Sequence, residues 1–259
     1  MNDYLRTNYH THTKRCHHAV GEDREYVEAA IAQGIEVLGF SDHIPVSIQN
    51  DVIQRVRMTY AEVEGYFDSI LKLKKEYKDD IEILVGFEGE YFPEEFEDQM
   101  KRLSDYPYDY LILGQHFLQV DGKIVYSGWG TDSEAVLDKY ISSCIEALST
   151  GVYSYLAHPD LINFSGDEKV WTSQMKRLLT FCKENHYPVE YNLLGALDDR
   201  PYPSDRCFSL IGELQNEVIL GIDAHAPAQI GDRGAFAKAE NFIEKYHLNL
   251  IDCIKGVAD

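Results

Sequence analysis

Residues 6–12 read RTNYHTH, a strand-like run that ends at His10 and is followed by His12. Alternate residues of an extended chain share one face, so we expect these two imidazoles to point the same way. Neutral imidazole is the commonest protein ligand for zinc, iron and similar cations. One such pair is weak evidence by itself. The same order, a strand and then a histidine or a carboxylate, recurs along the whole chain.

Six further strand-like stretches alternate with seven helical patterns. The strands are predicted over 36–40, 81–87, 108–113, 153–157, 188–192 and 217–222, and the helices over 22–33, 60–77, 93–103, 133–148, 168–184, 204–214 and 235–246. Several strands are nearly continuous apolar runs, as in a parallel sheet that is buried on both faces. Seven β/α units in succession predict an α/β fold, a closed or nearly closed parallel barrel, in a single domain over 1–259.

The candidate metal ligands fall at or just after the carboxyl ends of these strands. In a parallel barrel those ends form one rim, which is where the active sites of such barrels lie. The sequence therefore predicts one metal site that is made by residues far apart in the chain. Its nine candidate ligands are His10, His12, His18, His43, Glu88, His116, His158, Asp223 and His225.

Composition narrows the class of protein. The formal net charge of −20 argues against a broad nucleic-acid surface and against attachment to anionic membranes, and the sequence leaves the oligomeric state open. The five cysteines are scattered, odd in number and without CxxC spacing, which favours free thiols over a disulfide framework. The first ten residues lack the apolar core of a signal peptide and no apolar stretch is long enough to span a bilayer, so a cytoplasmic location is expected.

Two predicted loops, 45–58 and 121–132, are long for connections in such a barrel. Long loops commonly cover an active site, and surface decoration is the alternative.

Seven motifs together resemble the PHP superfamily, named for polymerase and histidinol phosphatase. They are YHTHTKRCHHA (9–19), FSDH (40–43), GFEGEYFP (86–93), LGQHF (113–117), AHPD (157–160), VEYNLLG (189–195) and GIDAHAP (221–227). The length and the loop HTKRCHHA look closest to the histidinol-phosphate phosphatase branch. The resemblance implies a distorted (β/α)7 TIM-like barrel that holds three divalent metal ions (zinc, iron or manganese).

The resemblance also assigns ligands to each ion. The first would take His10, His12, Glu88 and Asp223; the second would share Glu88 and take His116 and His158; the third would take His18, His43 and His225. His18, six residues after His12, matches the family position, which leaves His17 facing the cavity or solvent. Three divalent ions with two carboxylates and one bridging hydroxide keep an excess of about three positive charges, so we expect a dianionic substrate such as a phosphate monoester.

The expected reaction is attack on phosphorus by a hydroxide that bridges two metals, with Glu88 as the bridging protein ligand. His17 and Asp42 are the candidates to protonate the leaving alcohol. Asp42 has an alternative role as the acceptor that orients His43 or another ligand.

Arginine suits phosphate because its planar fork donates two parallel hydrogen bonds. The candidates are Arg15, Arg200 and Arg206, each with solvated surface charge as the alternative. The family branch often carries Gly-Leu-Arg after its sixth strand, whereas this chain reads Gly195-Ala196-Leu197. The other candidate substrate contacts, as polar and aromatic walls, are Asn192, Tyr91, Phe117 and Trp129.

The sequence thus predicts a metal-dependent phosphomonoesterase with a small anionic phosphate-ester substrate, best fitted by histidinol phosphate in histidine biosynthesis. A phosphatase or phosphodiesterase for another small ester, such as a nucleotide, is the near alternative. An amidohydrolase also begins with HxH in a barrel, but it leaves His18, His43 and Glu88 without roles. A non-catalytic or proofreading metal module is disfavoured because no polymerase sequence follows and the chain is acidic.

Overall fold

The computed structural model describes residues 5–254, in which ten strands are found. In chain order they are β1 (Thr7–Asn8), β2 (Val37–His43), β3 (Glu82–Gly89), β4 (Tyr110–Leu113), β5 (Phe117–Val120), β6 (Lys123–Tyr126), β7 (Tyr155–Leu156), β8 (Val189–Asn192), β9 (Glu217–Gly221) and β10 (Asn249–Leu250). Eight of them form one parallel sheet in the order β1-β2-β3-β4-β7-β8-β9-β10, while β5 and β6 pair with each other as an antiparallel hairpin.

The ends of this sheet approach each other at the carboxyl ends of the strands. Thr11, just after β1, makes a parallel bridge to Ala224, just after β9, and the His12 N–H donates to the Ala224 carbonyl oxygen at 2.9 Å. At the opposite end β10 pairs with β9, and the Thr7 hydroxyl donates to the Asp252 carbonyl oxygen. The predicted distorted parallel α/β barrel is therefore confirmed, with the seam between β1 and β9 closed at the rim.

Nine α-helices of the described chain surround the sheet. They are α1 (Asp23–Gln33), α2 (Asp51–Gln54), α3 (Val63–Glu76), α4 (Phe96–Leu103), α5 (Glu134–Ser149), α6 (Glu168–Glu184), α7 (Leu193–Leu197), α8 (Asp205–Leu214) and α9 (Arg233–Tyr246). Three short 3-10 helices cover Lys14–Cys16, Tyr60–Glu62 and Pro227–Gly231.

Helix α6 shows why these segments are helical. The Asp167 side chain accepts hydrogen bonds from the backbone N–H groups of Lys169 and Val170, which satisfies donors that a helix start leaves unpaired. Its buried residues recur at three- and four-residue spacing and so form one apolar stripe against the sheet. They are Trp171, Met175, Leu178, Leu179 and Cys182.

Two layers of apolar side chains hold the barrel together, because strand residues alternate between its faces. In β3, Ile83, Val85 and Phe87 belong to the layer between sheet and helices, whereas Leu84 belongs to a smaller cluster with Tyr110. The Tyr110 hydroxyl donates to the Tyr9 carbonyl oxygen at 2.7 Å, so its ring spans the interior below the rim. The interior is thus a packed floor beneath the functional end.

Several details of the fold differ from the sequence predictions, among them strand β5 and helix α7, which were not predicted. Strands β2 and β3 extend to His43 and Gly89, so His43 and Glu88 lie within strands. The two-residue strand β10 was not predicted, because two residues carry no periodicity. Part of the predicted loop 121–132 forms β6, and the predicted loop 45–58 contains α2.

In residues 5–254 the longest helices fall short of the length and apolarity that a bilayer crossing requires.

Candidate metal centre

All nine predicted ligands gather at the carboxyl rim of the barrel. Their donor atoms form overlapping groups in which every atom lies within 4.8 Å of the others. The groups are His10–His12–Glu88, His10–His158–Asp223, His43–Glu88–His116 and His18–His43–His225. The ligands come from both ends of the chain, and the closed seam at Thr11 and Ala224 brings these ends together.

Glu88 lies at the middle of the cluster with its two carboxylate oxygens turned to different partners. Oε2 is 3.5 Å from His10 Nε2, 3.5 Å from His12 Nε2 and 3.0 Å from His43 Nδ1. Oε1 is 2.8 Å from His158 Nε2 and 3.6 Å from His116 Nε2. A carboxylate that faces two separate groups of imidazoles has the geometry of a bridging ligand.

Asp223 supplies the second carboxylate. Its Oδ1 is 3.4 Å from His10 Nε2 and 3.0 Å from His12 Nε2. Four ligand atoms placed tetrahedrally about 2.1 Å from zinc are about 3.4 Å from one another, so these spacings suit a shared cation. Beside this group, His225 Nε2 and His18 Nε2 approach to 2.9 Å.

In most of the ligand imidazoles, the ring nitrogen that faces away from the cluster lies next to an oxygen atom of the protein. His10 Nδ1 contacts Glu190 Oε1 at 2.7 Å, while His18 Nδ1 and His225 Nδ1 contact the carbonyl oxygens of Cys16 and Asp223 at 2.8 and 2.9 Å. Such an outer partner fixes the ring orientation and leaves Nε2 as the ligand atom.

Asp42 and Glu90 occupy the same outer position for two other ligands. Asp42 Oδ1 is 3.5 Å from His12 Nδ1, and Glu90 Oε1 is 3.3 Å from His116 Nδ1. The second Asp42 oxygen accepts from the backbone N–H of Thr13 at 3.2 Å and from its hydroxyl. The geometry favours the orienting role for Asp42, toward His12 rather than His43.

The sequence predictions did not include Glu190 and Glu90. Glu190 lies in the fully buried strand β8, where its Oε2 accepts from the backbone N–H of His158 at 3.1 Å and from Asn192 Nδ2 at 2.9 Å. A carboxylate inside an otherwise apolar strand, as in VEYN, needs partners, and that was the available signal. Glu90 follows Glu88 by two residues, so the sequence pattern that pointed to Glu88 gave Glu90 no separate indication.

The glycines after β4 and in β9 make room for the carboxylates. A Cβ at Gly114 would lie 1.9 Å from Glu88 Oε1, and a Cβ at Gly221 would lie 1.8 Å from Glu190 Oε1. Any side chain at either position would displace the carboxylate. Asp223 itself has φ of 57°, a left-handed conformation that aspartate tolerates better than most residues.

The ionisable groups of the cluster strongly shift one another's pKa. Burial, followed by the charge of His12, lowers the pKa of His225 to about 3, and burial lowers the pKa of His43 well below its usual value. Burial opposes ionisation of Glu88, but the charges of His116 and His10 hold the pKa of that carboxyl well below its usual range. Burial also opposes the charge of His10 and His12, yet the nearby carboxylates hold the pKa of both imidazoles well above its usual value. A cation that binds at His10 and His12 therefore displaces protons from these rings.

Unpaired buried atoms give a separate test of metal binding. His10 Nε2, His12 Nε2 and Glu88 Oε2 are buried and find no hydrogen-bond partner within residues 5–254. Leaving such atoms unpaired costs free energy, and a coordinated cation removes that cost. The residues present therefore fit divalent metal ions.

A cavity of about 530 Å³ opens beside the cluster. Its lining includes the metal-ligand candidates His18, His43, His116, Asp223 and His225, and residues of both long loops: Val52, Val56, Arg57, Tyr126 and Trp129. The remaining wall is Phe117, Leu194, Asp198, Arg200, Tyr202 and Gln229. Both long loops therefore form part of the cavity, as the sequence predicted.

Three predicted substrate contacts, Phe117, Trp129 and Arg200, line this cavity. The Phe117, Tyr126 and Trp129 rings follow one another along one wall, with centroid separations of 5.4 and 6.0 Å. Elsewhere in the lining, Arg200 Nη1 donates to the Tyr202 hydroxyl at 2.9 Å and Nη2 donates to Asp198 Oδ2 at 2.9 Å.

The other two candidate arginines pair with partners outside the cavity lining. Arg15 Nη1 donates to both oxygens of Asp23, at 3.0 and 2.9 Å. Arg206 Nη2 donates to the Phe164 carbonyl oxygen at 2.8 Å, and its guanidinium lies 4.1 Å from the centre of the Trp171 ring. Neither arginine is part of the lining described for the cavity.

Three further predicted site residues also lie outside the lining described for the cavity. Asn192 is buried and donates to Glu190 and Asp223, so it positions carboxylates instead of touching substrate. The Tyr91 ring packs against Phe96 at 5.3 Å. His17 is exposed, with Nε2 3.5 Å from a Glu62 oxygen, whereas its neighbour His18, which is also exposed, lines the cavity.

Comparisons with known proteins agree with this geometry. The family model described as PHP domain matches residues 8–193, which is more than two thirds of the chain. The probable histidinol-phosphatase of Deinococcus radiodurans is 24% identical over 245 residues, which cover 89% of this chain and 90% of that protein. The histidinol-phosphatase of Bacillus subtilis is 27% identical over 259 residues, which cover 86% of this chain and 94% of that protein.

A solved structure has the same fold. The histidinol phosphate phosphatase of Lactococcus lactis, crystallised with zinc, L-histidinol and phosphate, superposes with a TM-score of 0.74 at 21% identity and covers 97% of each chain. The family match, the barrel and the ligands at its rim agree, and the chain belongs to the PHP domain family.

Proposed function

We propose that this protein is a metal-dependent phosphomonoesterase that hydrolyses histidinol phosphate to histidinol and phosphate. The observation that carries the proposal is the metal-ligand cluster opening directly into a cavity that also presents Arg200. The names of the Deinococcus and Bacillus relatives and the ligands of the Lactococcus structure support the choice of substrate.

We assign three divalent ions (zinc, iron or manganese) to the cluster, as the family resemblance implies: one at His10, His12, Glu88 and Asp223, a second at Glu88, His116 and His158, and a third at His18, His43 and His225. The third set is a group of mutually close donor atoms. The first two join donors of overlapping groups, through the contacts of Asp223 with His10 and His12 and of Glu88 with His116 and His158. Bound divalent ions supply Lewis acidity, which activates water and offsets charge on the phosphoryl oxygens. His43 also lies near Glu88, so it is placed between the second and third groups.

The charge of the site favours a dianion. Glu88 and Asp223 are the two carboxylates among the proposed ligands, and together they offset about a third of the charge of three divalent ions. The Arg200 guanidinium adds positive charge at the cavity wall, and its planar fork suits the oxygens of a phosphate. A phosphate monoester is a dianion and offers such oxygens, so it suits both the metal ions and Arg200.

The alcohol portion of the substrate faces the wall made by Phe117, Tyr126 and Trp129. Flat aromatic surfaces suit an imidazole ring. The Asp198 carboxylate, which pairs with Arg200 at 2.9 Å, also lines the cavity and suits an ammonium group. Trp129 is 60% exposed and therefore has free surface for a ligand to cover.

The residues that flank the ligands prepare the centre for this chemistry. Glu190 orients His10, Asp42 orients His12, and their hydrogen-bond partners hold these carboxylates in turn. Since Asp42 and His17 do not line the described cavity, we do not assign the protonation of the leaving alcohol to either.

A substrate panel tests the proposal. Protein expressed separately with zinc, iron and manganese is assayed for phosphate release from histidinol phosphate, nucleoside monophosphates and p-nitrophenyl phosphate. We expect kcat/KM for histidinol phosphate to exceed that for p-nitrophenyl phosphate by at least about 100-fold, since a substrate that fills the cavity gains about 3 kcal/mol of transition-state binding. Equal turnover of both esters would contradict the substrate, and no turnover of any ester would contradict the phosphatase.

The amidohydrolase alternative loses support from the geometry. It gives no role to His18, His43 and Glu88, yet the donor atoms of these residues lie inside the cluster. Hydrolysis of amides or lactones in the absence of phosphatase activity would restore it.

A further inference from the structure

A buried ion pair, Arg57–Glu90, lies between loop 45–58 and the metal centre. Arg57 Nη2 is 2.5 Å from Glu90 Oε2, and each side chain is 1% exposed. Burying a charged pair carries a large desolvation cost, so its presence in the barrel wall calls for a reason beyond stability.

Glu90 contacts the metal-ligand candidate His116 in two ways. Its Oε1 accepts from the backbone N–H of His116 at 2.8 Å and of Phe117 at 3.0 Å, and lies 3.3 Å from His116 Nδ1. One oxygen therefore anchors the His116 backbone and lies beside its ring, whose Nε2 is 3.6 Å from Glu88 Oε1. His116 Nδ1 makes no hydrogen bond within residues 5–254, so Glu90 acts on this residue through the backbone bonds and through its charge.

Arg57 is equally tied to the loop. Its Nε donates to the Ile53 carbonyl oxygen at 3.0 Å and its Nη1 to the Ile44 carbonyl oxygen at 3.2 Å. Ile44 immediately precedes the loop and Ile53 lies in its helix α2, so one guanidinium joins two points of the loop to Glu90. Val52 and Val56 of the same loop line the cavity.

We propose that Glu90 is a positioning residue for His116, and that Arg57 couples loop 45–58 to the metal ion that His116 and Glu88 hold. The loop then keeps its cavity-lining position most firmly when that ion is bound, and the ion binds most tightly when the loop holds that position. Partners that orient ligands typically contribute about 10- to 100-fold to metal affinity.

Glu90→Gln tests the first half of the proposal. Glutamine keeps the volume and one acceptor, but it has no charge to hold Arg57 and reduced strength toward His116. Arg57→Met tests the second half, since it keeps most of the length but loses all three donor contacts. Arg57→Lys, which keeps the charge without the fork, is the conservative variant.

Gln99→Leu is the matched control. Gln99 is buried, and its Nε2 donates to the Pro45 carbonyl oxygen at 3.0 Å, so it anchors the start of the same loop. The contacts described for its side chain do not reach His116. Loss of this anchor loosens the loop without releasing the ligand.

The measurement is zinc affinity in the whole protein, by competition with a chromophoric chelator and without substrate. We expect Glu90→Gln and Arg57→Met to bind one zinc ion about 10- to 100-fold more weakly, and Arg57→Lys to lie between them and wild type. Gln99→Leu, which loosens the loop but keeps the Arg57–Glu90 pair, should lose much less zinc affinity than Arg57→Met. Zinc should also slow protease cleavage within 45–58 in wild type, but much less in Arg57→Met. Circular dichroism first verifies that each variant is folded, and Arg57→Lys replaces Arg57→Met if the latter is not.

Folded variants that keep wild-type zinc affinity would overturn the proposal. So would an equal loss in Gln99→Leu, which would show that any loosening of the loop weakens the metal. The inference rests on the proposed metal centre and not on the substrate. Wild-type protein that binds zinc but hydrolyses no phosphate ester would refute the proposed function alone, whereas wild-type protein that binds no zinc would refute both.

Discussion

Replacing Gly221 with alanine is the sharpest test of how the centre is built. The new Cβ would lie 1.8 Å from Glu190 Oε1, so the carboxylate must move. It has little room to do so, because Oε1 contacts His10 Nδ1 at 2.7 Å and Oε2 accepts from the His158 backbone N–H at 3.1 Å. The substitution therefore releases an orienting group without altering any proposed metal ligand.

The expected magnitude combines two effects. Extra volume in a packed interior costs about 1–3 kcal/mol, and a lost hydrogen bond to a charged group costs about 1.5–3 kcal/mol. We expect the free energy of unfolding to fall by about 3–5 kcal/mol, a large part of the stability of an ordinary domain. Because His10 loses its outer partner, metal affinity should fall about 10- to 100-fold.

The assay is denaturant unfolding of the apoprotein together with zinc titration against a chelator. Gly65→Ala is the control, since no atom lies within 4 Å of its Cβ in helix α3 and the change should raise stability by up to about 1 kcal/mol. Adding Glu190→Asp to Gly221→Ala shortens the carboxylate and should recover part of the stability. Wild-type unfolding and zinc affinity in Gly221→Ala would refute the confined position of Glu190.

Further predictions concern the ligands, the cavity and the metal. Glu88→Ala should abolish phosphatase activity and lower the measured metal content by two ions, because one carboxylate serves both; full metal content would contradict the bridge. His18→Ala should lose one ion by elemental analysis while His17→Ala keeps the wild-type content, and the reverse result would exchange their roles. Arg200→Ala should lower kcat/KM about 10- to 100-fold, as loss of a charge-assisted bond implies, while Arg206→Ala leaves it unchanged; an equal effect in both would remove Arg200 from the site. Stripping the metals with a chelator should lower the unfolding temperature by calorimetry, since ligands that bind only the native state add about 4 kcal/mol at a thousand times Kd, and an unchanged temperature would contradict tight binding.

The metal-ligand candidates could be predicted from sequence because they occur at a regular position relative to the predicted strands. His10, His116 and Asp223 each follow a strand, and the parallel barrel turns that order along the chain into proximity at one rim. The same reasoning gave the barrel itself, since the alternation of strands and helices is strong over most of the chain.

The direction of long polar side chains could not be predicted in this way. Arg15 and Arg206 occur in the expected region, but contacts with Asp23 and Trp171 decide where their guanidinium groups lie. Arg206 and Trp171 are distant in sequence, and Arg15 and Asp23 lie in different helices, so no periodicity relates the partners of either contact. Glu190 is the opposite case. A carboxylate in a buried strand must have a partner, but the sequence does not show which residue that partner is.

The seam at Thr11 and Ala224 has a consequence for folding. More than two hundred residues separate His10 from Asp223, so an ion that both residues held would close a very large chain loop, and a crosslink of that span removes about 5 kcal/mol of denatured-state entropy on a chain-entropy estimate. A nascent polypeptide lacks this crosslink until Asp223 has left the ribosome, so metal capture by this pair would be a late event in maturation.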